Sequence, residues 1–355
     1  MERAQLLQLL EELLTTHAPS GDEAEMDAIL LPRFRETCVD VRQDSAGNLI
    51  GRIPGRSREG AIQVHAHKDE IGMIVKRVEP DGKVQARALG GAYPWKYGEG
   101  PVEILGRPGP IPAVLCVGST HTSAESARMQ SARTSPLAWE TVYLDAKLTR
   151  AELAAQGVRA GTRAVVARSR KRPLVLGDFV CGWALDDKGA VAIMLGVMEA
   201  LAPLAGQLPA DVYFAATGEE EVAAAGGAFV AASLPAETLI ALEVGPVADE
   251  YGNANSPQPV IWVSDSYHTY SKRLSDRLMD LAGVLGFGAQ PVVYSSAGTD
   301  ASAARRYGQA GSVACLGFPV ENSHGYEVAH IEGMLNTAAL LETFLRGPRD
   351  APRGA

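Results

Sequence analysis

The sequence has little cysteine, no excess of positive charge and no long apolar run, and each shortage excludes a class of protein. Four cysteines occur among 355 residues, and no two of them form a C-x-x-C pair. Neither a disulfide framework nor a thiolate zinc site is therefore predicted, and we expect reduced thiols in a cytoplasmic protein. The four are Cys38, Cys116, Cys181 and Cys315.

Charge and hydropathy narrow the range of partners. The formal net charge is −9, whereas nucleic acids and anionic membranes select basic surfaces. No apolar run is long enough to cross a bilayer, and the amphipathic start of the chain lacks the apolar core of a signal peptide. We therefore expect neither nucleic acid nor membrane as a partner, and small or peptidic substrates instead.

The apolar pattern of the chain predicts an α/β fold. Short apolar runs such as AIQVHAH, ADVYFAAT, TLIALEVG and SVACLGFP alternate with segments of helical periodicity. The clearest helical segments are KGAVAIMLGVMEALA, DSYHTYSKRLSDRLMDLAGVL and IEGMLNTAALLETFLRG. Because 46% of the residues are apolar, the chain can bury a large core, and we expect a mainly parallel sheet flanked by helices and more than one domain.

The pattern changes in the first half of the chain. Helical periodicity mostly vanishes there, apart from the segment TRAELAAQG, and short strands are divided by glycine and proline turns. This texture predicts an inserted all-β domain, whose strands should leave edges that another subunit covers. Residues 119–136 are polar and predict a mobile loop. The predicted boundaries are 1–73 and 176–346 for the main domain, 74–175 for the insertion and 347–355 for a frayed tail.

Acids and histidines recur at the carboxyl ends of the predicted strands. In open α/β sheets the functional crevice lies outside these ends, so the groups should converge. Clustered carboxylates repel one another unless a cation compensates them. Two imidazoles with surplus acids suit zinc, and a pair of ions that share a carboxylate would use more of the acids. The groups are His67 and Asp69, Asp186 and Asp187, Glu219, Glu220 and Glu221, Glu243, and His324.

Each of these motifs has an ordinary structural interpretation when taken alone. An H-x-D pair is more often a satisfied histidine, and DD can cap the helix that follows. Three glutamates in a row are most often a solvated face, and Glu243 could be an ion-pair partner. Five motifs at equivalent strand ends favour a site. We expect His65 to be a core histidine or one that orients a metal ligand, and Lys68 to lie solvated at the surface.

The ordered set HKDEIGMIV, WALDDKGAVA, TGEEEV, GTDA and LGFP, followed by His324, resembles the M42 family of di-metal aminopeptidases. The segments APSGDE, DSAGNLIG and AAQGVRAGT are similar to the family as well, so the resemblance spans nearly the whole chain. Some members of this family have been labelled endoglucanases. The resemblance implies a zinc-peptidase-like catalytic domain and a β insertion used in homo-oligomer formation, often of a dodecamer.

The resemblance also implies a role for each residue of the set. Glu220 would act as general base, and Asp69 would hold the imidazole of His67. These roles imply two divalent metal ions as cofactors, with zinc as the first choice and cobalt or manganese as alternatives. They also imply that the enzyme releases N-terminal residues from peptides with a free N-terminus. The implied ligands are His67 and Glu243 for one ion, Glu221 and His324 for the other, and Asp186 for both.

Three departures from the family pattern bear on these roles. Glu243 stands where the family usually has aspartate, and Lys188 stands where it usually has arginine, which puts one bidentate contact in doubt. The roles of Glu220 and Glu221 follow from an ungapped alignment of TGEEEV with the family pattern, whereas an offset alignment would make Glu219 the base and Glu220 the ligand. The alternative functions are a di-zinc carboxypeptidase or deacylase of the M20 type, an endoglucanase-type glycosidase, and a metal-binding protein without catalysis.

Overall fold

The computed structural model describes residues 1–347, and the predicted frayed tail lies outside them from residue 348 onward. No helix in this part of the chain is long and apolar enough to cross a membrane. The strands are β1 Val39–Gln43, β2 Leu49–Ile53, β3 Ile62–His67, β4 Gly72–Val78, β5 Val84–Leu89, β6 Gly100–Leu105, β7 Pro110–Cys116, β8 Tyr143–Asp145, β9 Arg163–Val166, β10 Leu174–Leu176, β11 Phe179–Trp183, β12 Val212–Thr217, β13 Thr238–Pro246, β14 Val260–Ser264, β15 Gln290–Val293, β16 Ser312–Glu321 and β17 Tyr326–His330. The helices are α1 Arg3–Thr15, α2 Ala24–Thr37, α3 Pro94–Tyr97, α4 Ala127–Thr134, α5 Arg150–Ala155, α6 Arg168–Lys171, α7 Leu185–Leu201, α8 Ala225–Ser233, α9 Lys272–Val284, α10 Asp300–Arg306 and α11 Ile331–Arg346.

A large mixed sheet organises the chain. Its strands follow the order β1-β2-β12-β3-β13-β16-β17-β11-β10, and β14 and β15 extend it from β16. The four central strands, β12, β3, β13 and β16, are parallel to one another. The strands towards both edges pair in antiparallel fashion. The predicted α/β class with a parallel sheet is thus confirmed, and the parallel pairing forms the centre of the sheet.

Helices cover both faces of this sheet, and alternation along the strands shows which residues face each layer. In β13, Ile240 and Leu242 belong to the core beneath α1, α7 and α11. Leu239 and Ala241 belong to the opposite core, which includes residues of α8 and α10. Helix α7 is buried along nearly its whole length, because it lies between the sheet and two other helices.

The insertion is a closed barrel of strands β4-β5-β8-β7-β6-β9. Apolar side chains such as Met73, Val84, Ile104 and Leu144 form a core of its own, to which the large sheet contributes Trp183 of β11. The predicted all-β insertion is therefore confirmed as a fold, while its limits of 74–175 stay a prediction. The expectation of open strand edges there is wrong, because the strands of a closed barrel are paired on both sides.

Two local predictions from the sequence are also wrong. The polar stretch 119–136 is not a loop throughout, because it contains helix α4, in which Met129 is only 5% exposed. Helix α9 begins at Lys272 and not at Asp265. Asp265 instead accepts hydrogen bonds from the backbone N–H groups of Tyr267 and His268, and this local turn replaces the first helical turns.

Candidate metal centre

The acids and histidines meet at one edge of the large sheet. Strands β3, β12, β13 and β16 are parallel, and β11 runs the same way because β17 is antiparallel to both β16 and β11. Their carboxyl ends therefore share one edge, where open α/β sheets place their functional crevice. The groups found there are His67 at the end of β3, Asp186 after β11, Glu220 and Glu221 after β12, Glu243 within β13, and His324 after β16.

Asp186 lies between the two imidazoles. Its Oδ1 is 3.1 Å from Nε2 of His67, and its Oδ2 is 3.5 Å from Nε2 of His324. Oε1 of Glu243 is 3.7 Å from Nε2 of His67, and Oε2 of Glu221 is 3.6 Å from Nε2 of His324. These residues form two half-sites that share Asp186: the His67 half-site with Glu243, and the His324 half-site with Glu221.

The three consecutive glutamates separate in space. Oε2 of Glu220 is 3.8 Å from Nε2 of His67, and Glu221 belongs to the His324 half-site. Ligand atoms of Glu220 group with His67 and Glu243, and those of Glu221 group with His67 and Asp186, close enough to hold a metal ion. Neither Glu219 nor His324 is in any such group found among residues 1–347. Glu219 turns towards Gly21 instead. This arrangement supports the ungapped alignment over the offset one.

Burial makes the charges of this cluster costly. It raises the pKa of Glu221 to about 7, and together with neighbouring carboxylates it raises the pKa values of Glu220 and Glu243 well above their usual range. Burial also opposes the charge of Asp186, but hydrogen bonds with the two histidines outweigh it and lower the pKa of this group. The cluster holds more acid than two imidazolium ions can balance, so its carboxylates must be either protonated or compensated by further positive charge.

The donor atoms fit a divalent cation. Three buried carboxylate oxygens, Oε1 of Glu221, Oδ1 of Asp187 and Oδ1 of Asp300, have no hydrogen-bond partner among residues 1–347. Buried oxygens without a partner are costly unless a cation compensates them. Ligand atoms of His67, Asp186 and Glu221 lie within 4.8 Å of one another. Imidazoles combined with carboxylates are the donor set of zinc and similar ions.

Asp69 connects the first histidine to the glutamates. Nδ1 of His67 lies 3.1 Å from the carbonyl oxygen of Asp69 and 3.4 Å from its Oδ1. The carboxylate of Asp69 accepts hydrogen bonds from Oγ of Ser20 at 2.6 Å and from the backbone N–H groups of Glu220 and Glu221 at 3.0 and 3.3 Å. Because Asp69 accepts the proton on Nδ1, Nε2 of the imidazole is directed at the cluster.

Two groups beside His324 were not predicted from the sequence. Glu327 is buried, and its carboxylate accepts hydrogen bonds from the backbone N–H groups of Asp186 and His324, each at 3.1 Å. The carbonyl oxygen of Gly91 lies 3.1 Å from Nδ1 of His324. Glu327 could have been predicted from the sequence, because it is an acid inside the apolar strand YEVAH. The role of Gly91 could not, since every residue has a backbone carbonyl group.

Two further buried acids and His65 surround the cluster. Oδ2 of Asp187 accepts a hydrogen bond from the backbone N–H of His67 at 3.2 Å, and Oδ2 of Asp300 accepts one from Oγ1 of Thr217 at 2.6 Å. The motifs DD and GTDA marked both acids without indicating these contacts. His65 is fully buried, and burial lowers its pKa to about 3, so it is a neutral core histidine as expected.

The charged residues next to His67 are buried. Lys68 is fully buried against the carboxylate of Asp27, so the prediction of a solvated Lys68 is wrong. The carboxylate of Glu70 lies 2.5 Å from Nζ of Lys171 and 3.1 Å from Nζ of Lys188. Lys188 stands where the family usually has arginine. Its ammonium group contacts the carboxylate of Glu70 as a point charge, whereas the planar guanidinium group of an arginine would favour a bidentate contact.

Comparisons with known proteins agree with this geometry. The family model described as M42 glutamyl aminopeptidase matches residues 47–340. The chain belongs to the M42 family. As an M42 member it is a metal-dependent aminopeptidase, a hydrolase of peptide bonds, in agreement with the function that the sequence motifs implied.

Relatives of this M42 chain match it over nearly its whole length. The lysyl aminopeptidase of Pyrococcus furiosus is 24% identical over 351 residues, which cover 95% of this chain and 96% of the relative. The structure of an aminopeptidase from Desulfurococcus kamchatkensis has a TM-score of 0.87 at 24% identity and covers 98% of this chain and 96% of its own. The Pyrococcus horikoshii TET1 peptidase, which can assemble into a tetrahedron or a large octahedral shell, has a TM-score of 0.84 at 25% identity over 96% of this chain and 99% of its own.

Proposed function

We propose that this M42 aminopeptidase releases N-terminal residues from peptides with two divalent cations bound in its two half-sites. One observation carries the proposal: the carboxylate of Asp186 faces His67 with one oxygen and His324 with the other. Zinc suits a set of imidazoles and carboxylates, and cobalt or manganese could replace it. The proposed ligands are His67 and Glu243 for one ion, His324 and Glu221 for the other, and Asp186 for both.

Glu220 is the proposed general base. When bound, the two ions supply an acidified water and positive charge beside the scissile carbonyl group. Glu220 takes a proton from the attacking water and returns it to the leaving amine. Burial raises the pKa of Glu220, which supports this role because a carboxylate with a raised pKa accepts a proton more readily. Asp69 positions this machinery through its contacts with the imidazole of His67 and the backbone of Glu220.

The proposed substrates are peptides with a free N-terminus. The cavity beside the half-sites is lined by several carboxylates, and one of them can bind the α-ammonium group of the substrate. An N-blocked peptide or an internal peptide bond offers no such cation. We therefore expect both to be poor substrates, which separates this function from that of a carboxypeptidase or deacylase of the M20 type.

The proposal includes assembly and location. One TET1 structure is described as a dodecamer and another as a tetrahedron or octahedral shell, which supports a homo-oligomer here, with the dodecamer as the first form to test. We assign assembly to residues 74–175 and catalysis to 1–73 and 176–346. The four cysteines are free, which supports a reducing, cytoplasmic location. Light scattering that shows a fully active monomer would contradict the proposed assembly.

A metal-reconstitution assay tests the proposed reaction. Protein stripped with a chelator is expected to lose activity on aminoacyl chromogenic amides and to regain it with zinc, cobalt or manganese. N-blocked peptides, N-acyl amino acids and a soluble cellulose derivative represent the alternative functions. Full activity after complete metal removal, or a preference for one of these alternative substrates, would contradict the proposal.

A further inference from the structure

We infer that the cleft selects peptides whose N-terminal residue has a neutral apolar or aromatic side chain. This inference rests on the proposed aminopeptidase function and adds the substrate class to it. The cleft beside the two half-sites is a cavity of about 490 Å³, a volume typical of sites for small ligands. Its ends differ in burial and in the side chains that line them.

The end of the cavity next to Glu243 is closed by aromatic side chains. Trp262 and Tyr294 are 1% and 2% exposed, and the ring of Tyr251 packs on that of Tyr294 with centroids 4.7 Å apart. The end next to His324 is open, since its aromatic residues Tyr93 and Trp95 are 54% and 53% exposed. An exopeptidase must enclose the terminal residue and leave the rest of the peptide outside. The N-terminal side chain therefore belongs at the closed end.

The polar atoms of the closed end are already hydrogen-bonded. The hydroxyl of Tyr294 donates to the carbonyl oxygen of Pro246 at 3.1 Å, and Nε1 of Trp262 donates to that of Val244 at 3.2 Å. The hydroxyl of Tyr251 lies 3.3 Å from a serine hydroxyl. The rings are therefore left to offer mainly apolar surface, which favours an apolar or aromatic side chain of the substrate.

The closed end of the cavity offers no positive charge to an acidic side chain. Among residues 1–347, Lys96 is the only lysine or arginine that lines the cavity, and its Nζ donates to the carbonyl oxygen of Ser323 at 2.5 Å, beside His324 at the open end. Arg306 stacks on Tyr267 with its guanidinium carbon 5.5 Å from the ring centroid, but it does not line the cavity. A glutamyl or aspartyl side chain would thus lose its hydration without gaining a partner.

A cationic side chain gains little as well. Within the described chain, the acids that line the cavity are the ligands Asp186, Glu221 and Glu243 and the proposed base Glu220. All four have roles in the centre or in binding the α-ammonium group of the substrate, so a lysyl side chain finds no carboxylate of its own. Cation–π contact with the tyrosine rings is the attraction left to it, and burial of its charge opposes that contact.

A panel of aminoacyl p-nitroanilides tests the inference on the metal-loaded protein. We expect kcat/KM for the phenylalanyl and leucyl amides to exceed kcat/KM for the glutamyl and lysyl amides by at least about 10-fold. A glutamyl or lysyl preference would overturn the inference and leave the aminopeptidase function intact. Inactivity towards every amide after verified metal loading would overturn both.

Variants at the closed end test which residues select the side chain. Tyr251→Ala removes an apolar ring of this wall, and we expect it to lower the ratio of kcat/KM for phenylalanyl over alanyl amide by about 10-fold. Tyr251→Phe keeps the ring and removes only the hydroxyl, so the ratio should stay at the wild-type value. Because the ratio compares two substrates of one preparation, differences in folding or metal loading cancel. An unchanged ratio in Tyr251→Ala would overturn the assignment.

A gain of function provides an independent test. Ala297 lines the cavity, and its carbonyl oxygen accepts hydrogen bonds from the hydroxyl and the backbone N–H of Ser266, neither of which involves the side chain of Ala297. Ala297→Lys adds a cation to the cavity wall and is expected to raise glutamyl over phenylalanyl kcat/KM. Ala297→Gln is the neutral control and should leave the ratio near wild type. Equal ratios in the two variants would count against selection by the charge of the wall.

Discussion

The carbonyl oxygen of Gly91, in the loop between β5 and α3, lies 3.1 Å from Nδ1 of His324 in the metal centre. A carbonyl oxygen can only accept, so Nδ1 carries the proton and Nε2 is left to face Asp186 and Glu221. A Cβ at position 91 would stand 2.3 Å from this Nδ1, so the contact requires glycine. The chain near the barrel therefore helps to orient one half-site of the large sheet.

We expect Gly91→Ala to displace the imidazole of His324. Metal content should fall at the His324 half-site, and turnover should fall by about 10 to 100-fold, the usual effect of losing a group that orients a metal ligand. Gly283→Ala is the control, because a Cβ there meets nothing within 4 Å in helix α9. Metal analysis and turnover decide the matter. Two bound ions and normal turnover in Gly91→Ala would show that this contact does not orient His324.

Replacing the neighbouring glutamates one at a time separates base from ligand. Glu220→Gln should keep two ions and lose turnover by about 100 to 10,000-fold, the usual contribution of general base catalysis. Glu221→Gln should lose both turnover and the ion of the His324 half-site. Glu219→Gln is the matched control and should retain both. An inactive but metal-loaded Glu219→Gln, together with a metal-depleted Glu220→Gln, would establish the offset alignment.

The strand-end groups could be predicted because buried parallel strands are visible as apolar runs. A charge such as that of Glu243 is conspicuous inside the run IALEVG, and the shared direction of the strands brings such charges to one edge. The helical boundary at Asp265 could not be predicted in the same way. The hydrophobic periodicity of a helix continues through the whole segment. A local hydrogen-bonded turn at its start nevertheless determines the backbone conformation there.

The contacts that support the site could not be predicted from the sequence for a different reason. Glu70 binds Lys171, a residue 101 positions away, so neither side chain marks the other in the local pattern. Lys68 looked like a surface residue because its partner Asp27 lies on another element, α2. The contact of Gly91 involves a backbone atom. Such long-range pairings depend on the packed tertiary structure and have no local periodicity.

The motif around His67 predicts three different effects from three substitutions. His67→Ala should remove an ion and nearly all turnover, because its Nε2 faces Asp186. Asp69→Asn should reduce metal affinity or turnover by about 10 to 100-fold, because the imidazole and the backbone of Glu220 both depend on it. His65→Ala should lower the thermal midpoint and keep metal content.

Metal titrations, turnover and thermal melts of these three variants provide the comparison. The His65 variant is the internal control, since this side chain is buried on the same strand and makes its contact with Gln63. If His65→Ala sheds metal while His67→Ala remains active, the assignment of the two histidines is reversed.

The ion pairs of Glu70 predict how the free energy of unfolding depends on pH. Burial opposes its charge, but Lys171 and Lys188 outweigh burial and lower the pKa of Glu70 from 4.5 to about 2. Above pH 4.5 the carboxylate is ionised in folded and unfolded chains, and its ion pairs contribute fully. Between pH 4.5 and about 2 the unfolded chain binds a proton that the folded chain excludes, so stability falls by about 3 kcal/mol in this window.

Glu70→Gln should remove this part of the acid dependence. Below the pKa of Lys188, which burial lowers to about 7, it leaves the ammonium groups of Lys171 and Lys188 buried without their carboxylate, at a cost of about 3–5 kcal/mol. The gap in melting midpoint between wild type and Glu70→Gln should therefore be widest above pH 5 and narrow towards pH 3. Both proteins are melted without metal, so that loss of ions in acid does not contribute. Asp81→Asn, in the exposed pair with Lys83, should change the midpoint little at any pH. A gap for Glu70→Gln that is constant from pH 7 to pH 3 would show that the ion pairs of Glu70 do not set the acid response.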